Sequence, residues 1–137
     1  MTAKQYLQQL RRIAQNIDVL NEEIVRLRAR IESTTIQITE RVQSSGAGDA
    51  LADQIASLVD KEQNYMSLLD IYEDLRQKIV TKVLAMEMPH SRILYARYVQ
   101  GRSLQEIAKE LCYSYEWMRH LHGVALKEFA KKYLRNG

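Results

Sequence analysis

The 137-residue chain contains one cysteine, one proline, one tryptophan, one phenylalanine and five glycines. A lone cysteine, Cys112, leaves no disulfide framework and no set of thiolate ligands for a metal. With proline nearly absent and glycines clustered at breaks, helix-forming residues run on without interruption, and the expected fold class is all-α. No apolar run approaches the ~18 residues that span a bilayer. The opening M-T-A-K-Q-Y-L-Q-Q-L-R-R lacks the apolar core of a secretory signal. A reducing cytoplasm is therefore the expected compartment. No Ser/His/Asp set or acidic pair has a spacing that suggests a catalytic site, so neither enzymatic activity nor a cofactor is expected. His120 and His122 are two residues apart and point to different helix faces, which excludes a helical i, i+4 metal pair. His90 is remote from both in sequence, and no metal is expected.

What the chain has is an uneven charge. Met1 to Pro89 carries 11 Lys+Arg against 13 Asp+Glu, whereas His90 to Gly137 carries 9 against 4. A basic C-terminal third on a mildly acidic body points to a polyanionic partner for that third.

The N-terminal body is strongly periodic. Tyr6, Leu10, Ile13, Ile17, Leu20, Ile24, Leu27 and Ile31 alternate steps of four and three, an a/d seam kept for more than three heptads. Such a helix would be roughly 40 Å long at about 1.5 Å per residue. Leu10, Ile13, Ile17, Leu20, Ile24 and Leu27 are the candidate oligomerisation residues. The pattern then fails, and Ser33 to Gly48 reads as a loop. Its Ser-Ser-Gly-Ala-Gly run lacks the Lys-Ser/Thr of a phosphate-binding loop and reads as a linker.

Asp49 is the expected N-cap of a second helix ending near Met86, ahead of Pro89. Leu51, Ile55, Leu58, Tyr65, Leu69, Tyr72, Ile79 and Val83 keep the same rhythm. Met66, Leu68, Ile71 and Leu75 add a second stripe that needs cover from the C-terminal third or from a second chain. Residues 1–88 therefore read as a long antiparallel helical hairpin, coiled-coil-like, for oligomerisation or partner binding.

Residues 89–137 read as a separate domain of three helices. Pro89 suits the first turn of a helix whose apolar face is Ile93, Leu94, Tyr98 and Val99, and Gly101 ends it. Ser103 with Glu106 is a capping box opening a short helix, with Leu104, Ile107, Ala108 and Leu111 inward. Cys112 and Tyr113 make a tight turn, Cys112 as a small buried residue, and Ser114 caps the last helix. Met118, Leu121, Ala125 and Phe129 then face inward. A short helix, a tight turn and a longer helix describe a helix-turn-helix, whose second helix enters the DNA major groove. Tyr115, Glu116, Arg119 and His120 share the stripe opposite the core, at the end that reaches base edges. Trp117 lies between the two faces. An ordinary αα-turn with a solvated polar face has the same spacing.

The stretch R-I-L-Y-A-R-Y-V-Q-G-R-S-L-Q-E-I-A-K-E-L-C-Y-S-Y-E-W-M-R-H-L-H-G-V-A-L-K-E-F resembles region four of bacterial sigma factors, which reads the −35 promoter element. The resemblance implies that Ser103, Leu104 and Gln105 lie at the DNA backbone. It also implies that Ser114, Tyr115, Glu116, Trp117, Arg119 and His120 face bases or nearby phosphates. Departures are clear. Tyr115 and Trp117 stand where that family usually has arginines, Val124 where it has a basic residue, and Cys112 where it has glycine. Over its whole length the chain is similar to small sigma-like regulators of phages and prophages of Gram-positive bacteria, in build like RinA-type and ArpU-type late-gene activators. The first 89 residues contain no Trp or Phe for melting a promoter, so a complete sigma factor is not expected.

The expected function is sequence-specific binding of double-stranded DNA by a phage or prophage transcription regulator, a homo-oligomer working with host RNA polymerase. Two rival expectations are a phage DNA-packaging recognition subunit, like a small terminase, and a module that binds RNA polymerase itself.

Overall fold

The computed structural model describes residues 1–40 and 47–134. In chain order the elements are α1 (Ala3–Glu40), α2 (Ala47–Leu84), α3 (His90–Leu94), a π-helical turn (Tyr95–Val99), α4 (Leu104–Leu111) and α5 (Tyr115–Tyr133). The chain is all-α, with a long N-terminal helical pair, and no strand occurs among the described residues. No described helix is long and apolar enough to cross a membrane.

The first helix opens with a capping box that the periodicity did not reveal. Thr2 Oγ1 accepts from the Gln5 amide at 3.1 Å, and Gln5 Oε1 accepts from the Thr2 amide at 2.9 Å. The expected loop over 33–48 is corrected at its start, because α1 continues to Glu40. Thr34, Thr35 and Thr39 each donate their hydroxyl to the carbonyl four residues back, at 2.9 Å. That back-bonding gives the hydroxyls partners within the helix, which continues through this β-branched polar run. Residues 41–46 lie outside the described residues, as does most of the Ser-Ser-Gly-Ala-Gly run. Asp49 is not the N-cap of α2, which begins at Ala47. Asp49 sits in its first turn, where a carboxylate complements the positive end of the helix dipole. The second helix stops at Leu84, two residues short of the expected end.

Two compact units make up the chain. One contains residues 1–14 and 72–137, the other residues 15–71. The expected boundary at 88/89 followed proline and charge, whereas packing groups the start of α1 and the end of α2 with the C-terminal helices. Within the 15–71 unit, Ile17, Ile24 and Leu27 are buried and Leu20 and Ile31 half-buried. Leu58, Tyr65, Leu68 and Leu69 of α2 are half-buried in the same unit. Ion pairs of Arg28 with Glu62 and of Lys61 with Glu23, each 3.2 Å, tie α1 to α2. Such surface pairs contribute about 0–1 kcal/mol each, against roughly 1.5–3 kcal/mol for burying an Ile or Leu, so the apolar seam holds this unit.

The other unit has two cores. Ala3, Leu7, Leu10, Ile79, Val83, Leu94, Tyr98, Ala125 and Phe129 form the first. Ile93, Ala96, Ile107, Ala108 and Met118 form the second, with Leu104, Leu111 and Leu121 against it. The segment from Ile93 to Tyr98 feeds both, Ile93 and Ala96 to one and Leu94 and Tyr98 to the other. The expected single helix before Gly101 is in fact α3 followed by the π-helical turn, in which the Gln100 amide reaches the Tyr95 carbonyl at 3.1 Å. Pro89 caps α3 from outside and is not in its first turn. Ile79 and Val83, on the rhythm of α2, and Leu75 of its extra stripe, are covered here by the C-terminal helices. Polar links finish the packing. Lys82 Nζ donates to Tyr6 Oη at 3.0 Å, and Tyr133 Oη donates to the Lys82 carbonyl at 2.8 Å.

Candidate nucleic-acid interface

The residues singled out for DNA binding lie on α4, α5 and the turn between them. Ser103 caps α4, its Oγ accepting from the Glu106 amide at 3.2 Å and donating to Glu106 Oε1 at 3.0 Å. After eight residues α4 ends in a Schellman arrangement: the Cys112 amide bonds to the Lys109 carbonyl and the Tyr113 amide to the Ala108 carbonyl. Cys112 occupies the left-handed position with φ 60°. Glycine adopts that conformation without a Cβ penalty, which is the physical content of the departure at this position. Cys112 is exposed, which corrects the expectation of a buried turn residue: the αL turn aims its side chain away from both cores. Ser114 then caps α5, its Oγ accepting from the Trp117 amide at 3.1 Å.

Met118, Ala125 and Phe129 anchor the inner face of α5 and are fully buried. That fixes the rotation of the helix. Tyr115, Glu116, Trp117, Arg119 and His120 are all brought together as exposed side chains at its N-terminal end. Trp117 is 49% exposed, and its ring stacks on that of His120 with centroids 5.1 Å apart. The Arg119 guanidinium lies 5.8 Å from the Tyr115 ring centroid. Exposed aromatic surface thus stands where the family resemblance would put arginines.

The three α4 residues behave differently from one another. Gln105 is exposed. Leu104 packs against the second core, which takes it away from a backbone-contact role. Ser103 is half-buried, with its hydroxyl committed to the cap.

The basic residues also divide. Glu110 is gripped by Arg92 at 3.0 Å and by Arg102, and Arg97 Nη1 donates to the Arg102 carbonyl at 3.1 Å. These arginines brace the junction of α3, the π-helical turn and α4, and Glu110 partly neutralises the charge of Arg92 and Arg102. The ion pairs among the described residues do not involve Lys109, Arg119 or Lys127. Lys109, Lys127 and Tyr113, all exposed, were not singled out from the sequence. Their signal was available for Lys127 alone, which stands on the same helical row as Arg119.

Behind the exposed face, His122 Nε2 and Tyr98 Oη are 2.8 Å apart. Burial, less an opposing pull from Arg97, pushes the Tyr98 hydroxyl up to about 12. Burial first, and then the positive charges of Arg97 and Lys4, hold the His122 imidazole below its ordinary value. Gly123 interrupts α5 at a cost of about 1 kcal/mol against alanine. A Cβ placed there would meet no atom of the chain within 4 Å, so internal packing does not require the glycine.

Among the described residues no group of three or more His, Cys, Asp or Glu could hold a metal ion. The candidate oligomerisation residues are taken up inside the single chain. Leu10, Ile17, Ile24 and Leu27 are buried, and Ile13 and Leu20 half-buried. Exposed large apolar residues on α2 are instead Ile55, Val59, Met66, Ile71 and Leu84. No protein-family model, curated protein or solved structure matches the chain.

Proposed function

We propose that the protein is a sequence-specific, duplex-DNA-binding transcription regulator of phage or prophage origin, acting at promoters with host RNA polymerase. The observation that carries this reading is the outer face of α5. A short capped helix and a tight turn deliver a longer helix whose inner face is locked by Met118, Ala125 and Phe129. Its first two turns then offer Glu116, Arg119 and His120 for hydrogen bonding and Tyr115 and Trp117 for apolar contact. A carboxylate accepts from cytosine N4, and an arginine grips guanine O6 and N7. The basic balance of residues 90–137 supplies attraction to the phosphates. Selection of binding sites from a random duplex pool by the purified chain tests the reading, followed by mapping of bound DNA in cells. Enrichment of one motif upstream of transcribed genes supports a regulator. Enrichment at a packaging site supports the small-terminase-like alternative, and no enrichment contradicts both.

A second reading, a module that binds RNA polymerase, draws on a different feature. A groove of about 330 Å³ is lined by Leu84, Met88, Tyr95 and Ile107 beside Arg92 and Arg102. Leu84 and Met88 are exposed apolar side chains at its edge. Binding to purified polymerase that persists in an Arg119→Ala variant would favour this reading. Self-association is a further part of the proposal. With the Tyr6–Ile31 seam spent inside the chain, it would fall to exposed residues of α2 such as Val59 and Met66.

A further inference from the structure

Gly123 lies on the outer face of α5, and nothing in the chain explains it. The row that contains it runs Arg119, Gly123, Lys127 in steps of four, one above the other on the helix surface. Both cations are exposed and outside the ion pairs of the described residues. A glycine with open space in front of its missing side chain, between two free cations, is a notch with positive charge on either side.

We infer that a sugar–phosphate strand of the bound duplex crosses α5 at Gly123, with Lys127 on its phosphate and Arg119 reaching past it into the groove. The inference rests on the duplex-DNA reading and adds the docking depth of the helix. From Arg119 to Lys127 is about 12 Å along the axis at about 1.5 Å per residue. The major groove is itself about 12 Å wide. A helix that puts Arg119 at base edges therefore has a groove wall beside it within two turns. At that crossing a side chain would hold the backbones apart, and glycine lets them close. The helix-propensity cost of Gly123 is then matched by a contact made only in the complex. Lys127 is a phosphate ligand and carries no sequence information, whereas Arg119 does.

The test uses the full chain and a duplex selected by the wild type from a random pool. Binding is titrated over a series of NaCl concentrations, and each variant is melted alone. Gly123→Ala should melt a few degrees higher than wild type, since it relieves a helix-interior glycine. It should also bind roughly 5- to 100-fold more weakly, and Gly123→Leu more weakly still. Lys127→Gln should lower the slope of log affinity against log salt by about 1, equally on selected and scrambled duplexes. Wild-type affinity from a folded Gly123→Leu protein would overturn the inference and leave the duplex-DNA reading standing. An unchanged salt slope for Lys127→Gln would overturn the assignment of Lys127. A wild-type chain that selects no duplex overturns the reading itself, and the crossing with it.

Discussion

Tyr98 Oη and His122 Nε2 lie 2.8 Å apart, a hydrogen bond that joins the π-helical turn to α5. Burial, with the positive charges of Arg97 and Lys4, disfavours protonation of the imidazole. His122 binds its proton less readily folded than unfolded. As pH falls below the ordinary histidine value of about 6.5, the unfolded chain takes up the proton first and stability drops. The loss is complete once pH is below the depressed folded value, and the contribution is fully present above about 7. Urea unfolding between pH 5 and 8 should show falling midpoints on the acid side, and His122→Gln should flatten the profile. Tyr98→Phe should cost about 0.5–1.5 kcal/mol, through loss of one hydrogen bond to a half-buried partner.

Cys112 holds the left-handed cap of α4 with a side chain attached. Cys112→Gly removes the Cβ penalty, less the entropy that glycine adds to the unfolded chain. A gain of about 0.5–1 kcal/mol is expected. It should appear as a higher urea midpoint with an unchanged slope.

The two serine caps should be separable from DNA contact. Ser103→Ala and Ser114→Ala each remove a side-chain acceptor from an amide that has no helical partner. Each should cost about 1 kcal/mol in thermal or urea unfolding. Replacement by Asp should restore most of that stability, because a carboxylate also caps. On DNA, Ser114→Asp should bind more weakly than wild type, since it adds negative charge at the N-terminal end of α5, which the proposed function puts in the groove.

The seam and the outer face of α2 should respond oppositely to charge. Ile24→Asp puts a carboxylate into the buried row of the 15–71 unit, and it should lower helicity and melting temperature sharply. Val59→Asp, at an exposed position, should change folding stability by only about 0.5 kcal/mol. Circular dichroism melts check both. Light scattering on Val59→Asp and wild type then reports whether the exposed α2 face carries self-association.

Much of this architecture was legible because it depends on periodic patterns. The Tyr6–Ile31 heptads fix α1, Ser103 and Ser114 mark two helix starts, and Met118, Ala125 and Phe129 set the rotation of α5. What the sequence did not disclose depends on local chemistry or on distant packing. Thr34, Thr35 and Thr39 look like loop residues until their hydroxyls are seen bonded to carbonyls a turn back. The grouping of Leu7 and Leu10 with Phe129 joins residues more than a hundred positions apart, which no spacing rule reaches. Leu104 was placed inward by spacing and at the DNA backbone by resemblance, and its packing against the second core agrees with the spacing. Trp117 lies between faces by angle alone, and its stacking on His120 is what places it outside.

Binding of the selected duplex by wild type and by Arg119→Ala, measured side by side by fluorescence anisotropy, tests the central claim most directly. Arg119 is exposed at the N-terminal end of α5 and takes no part in either core, so its removal should leave the fold and the melting temperature intact. The account predicts a loss of roughly 1–3 kcal/mol on the selected site and a much smaller loss on a scrambled duplex. Equal affinity of the two proteins for the selected site, with both folded, would contradict base reading by this helix.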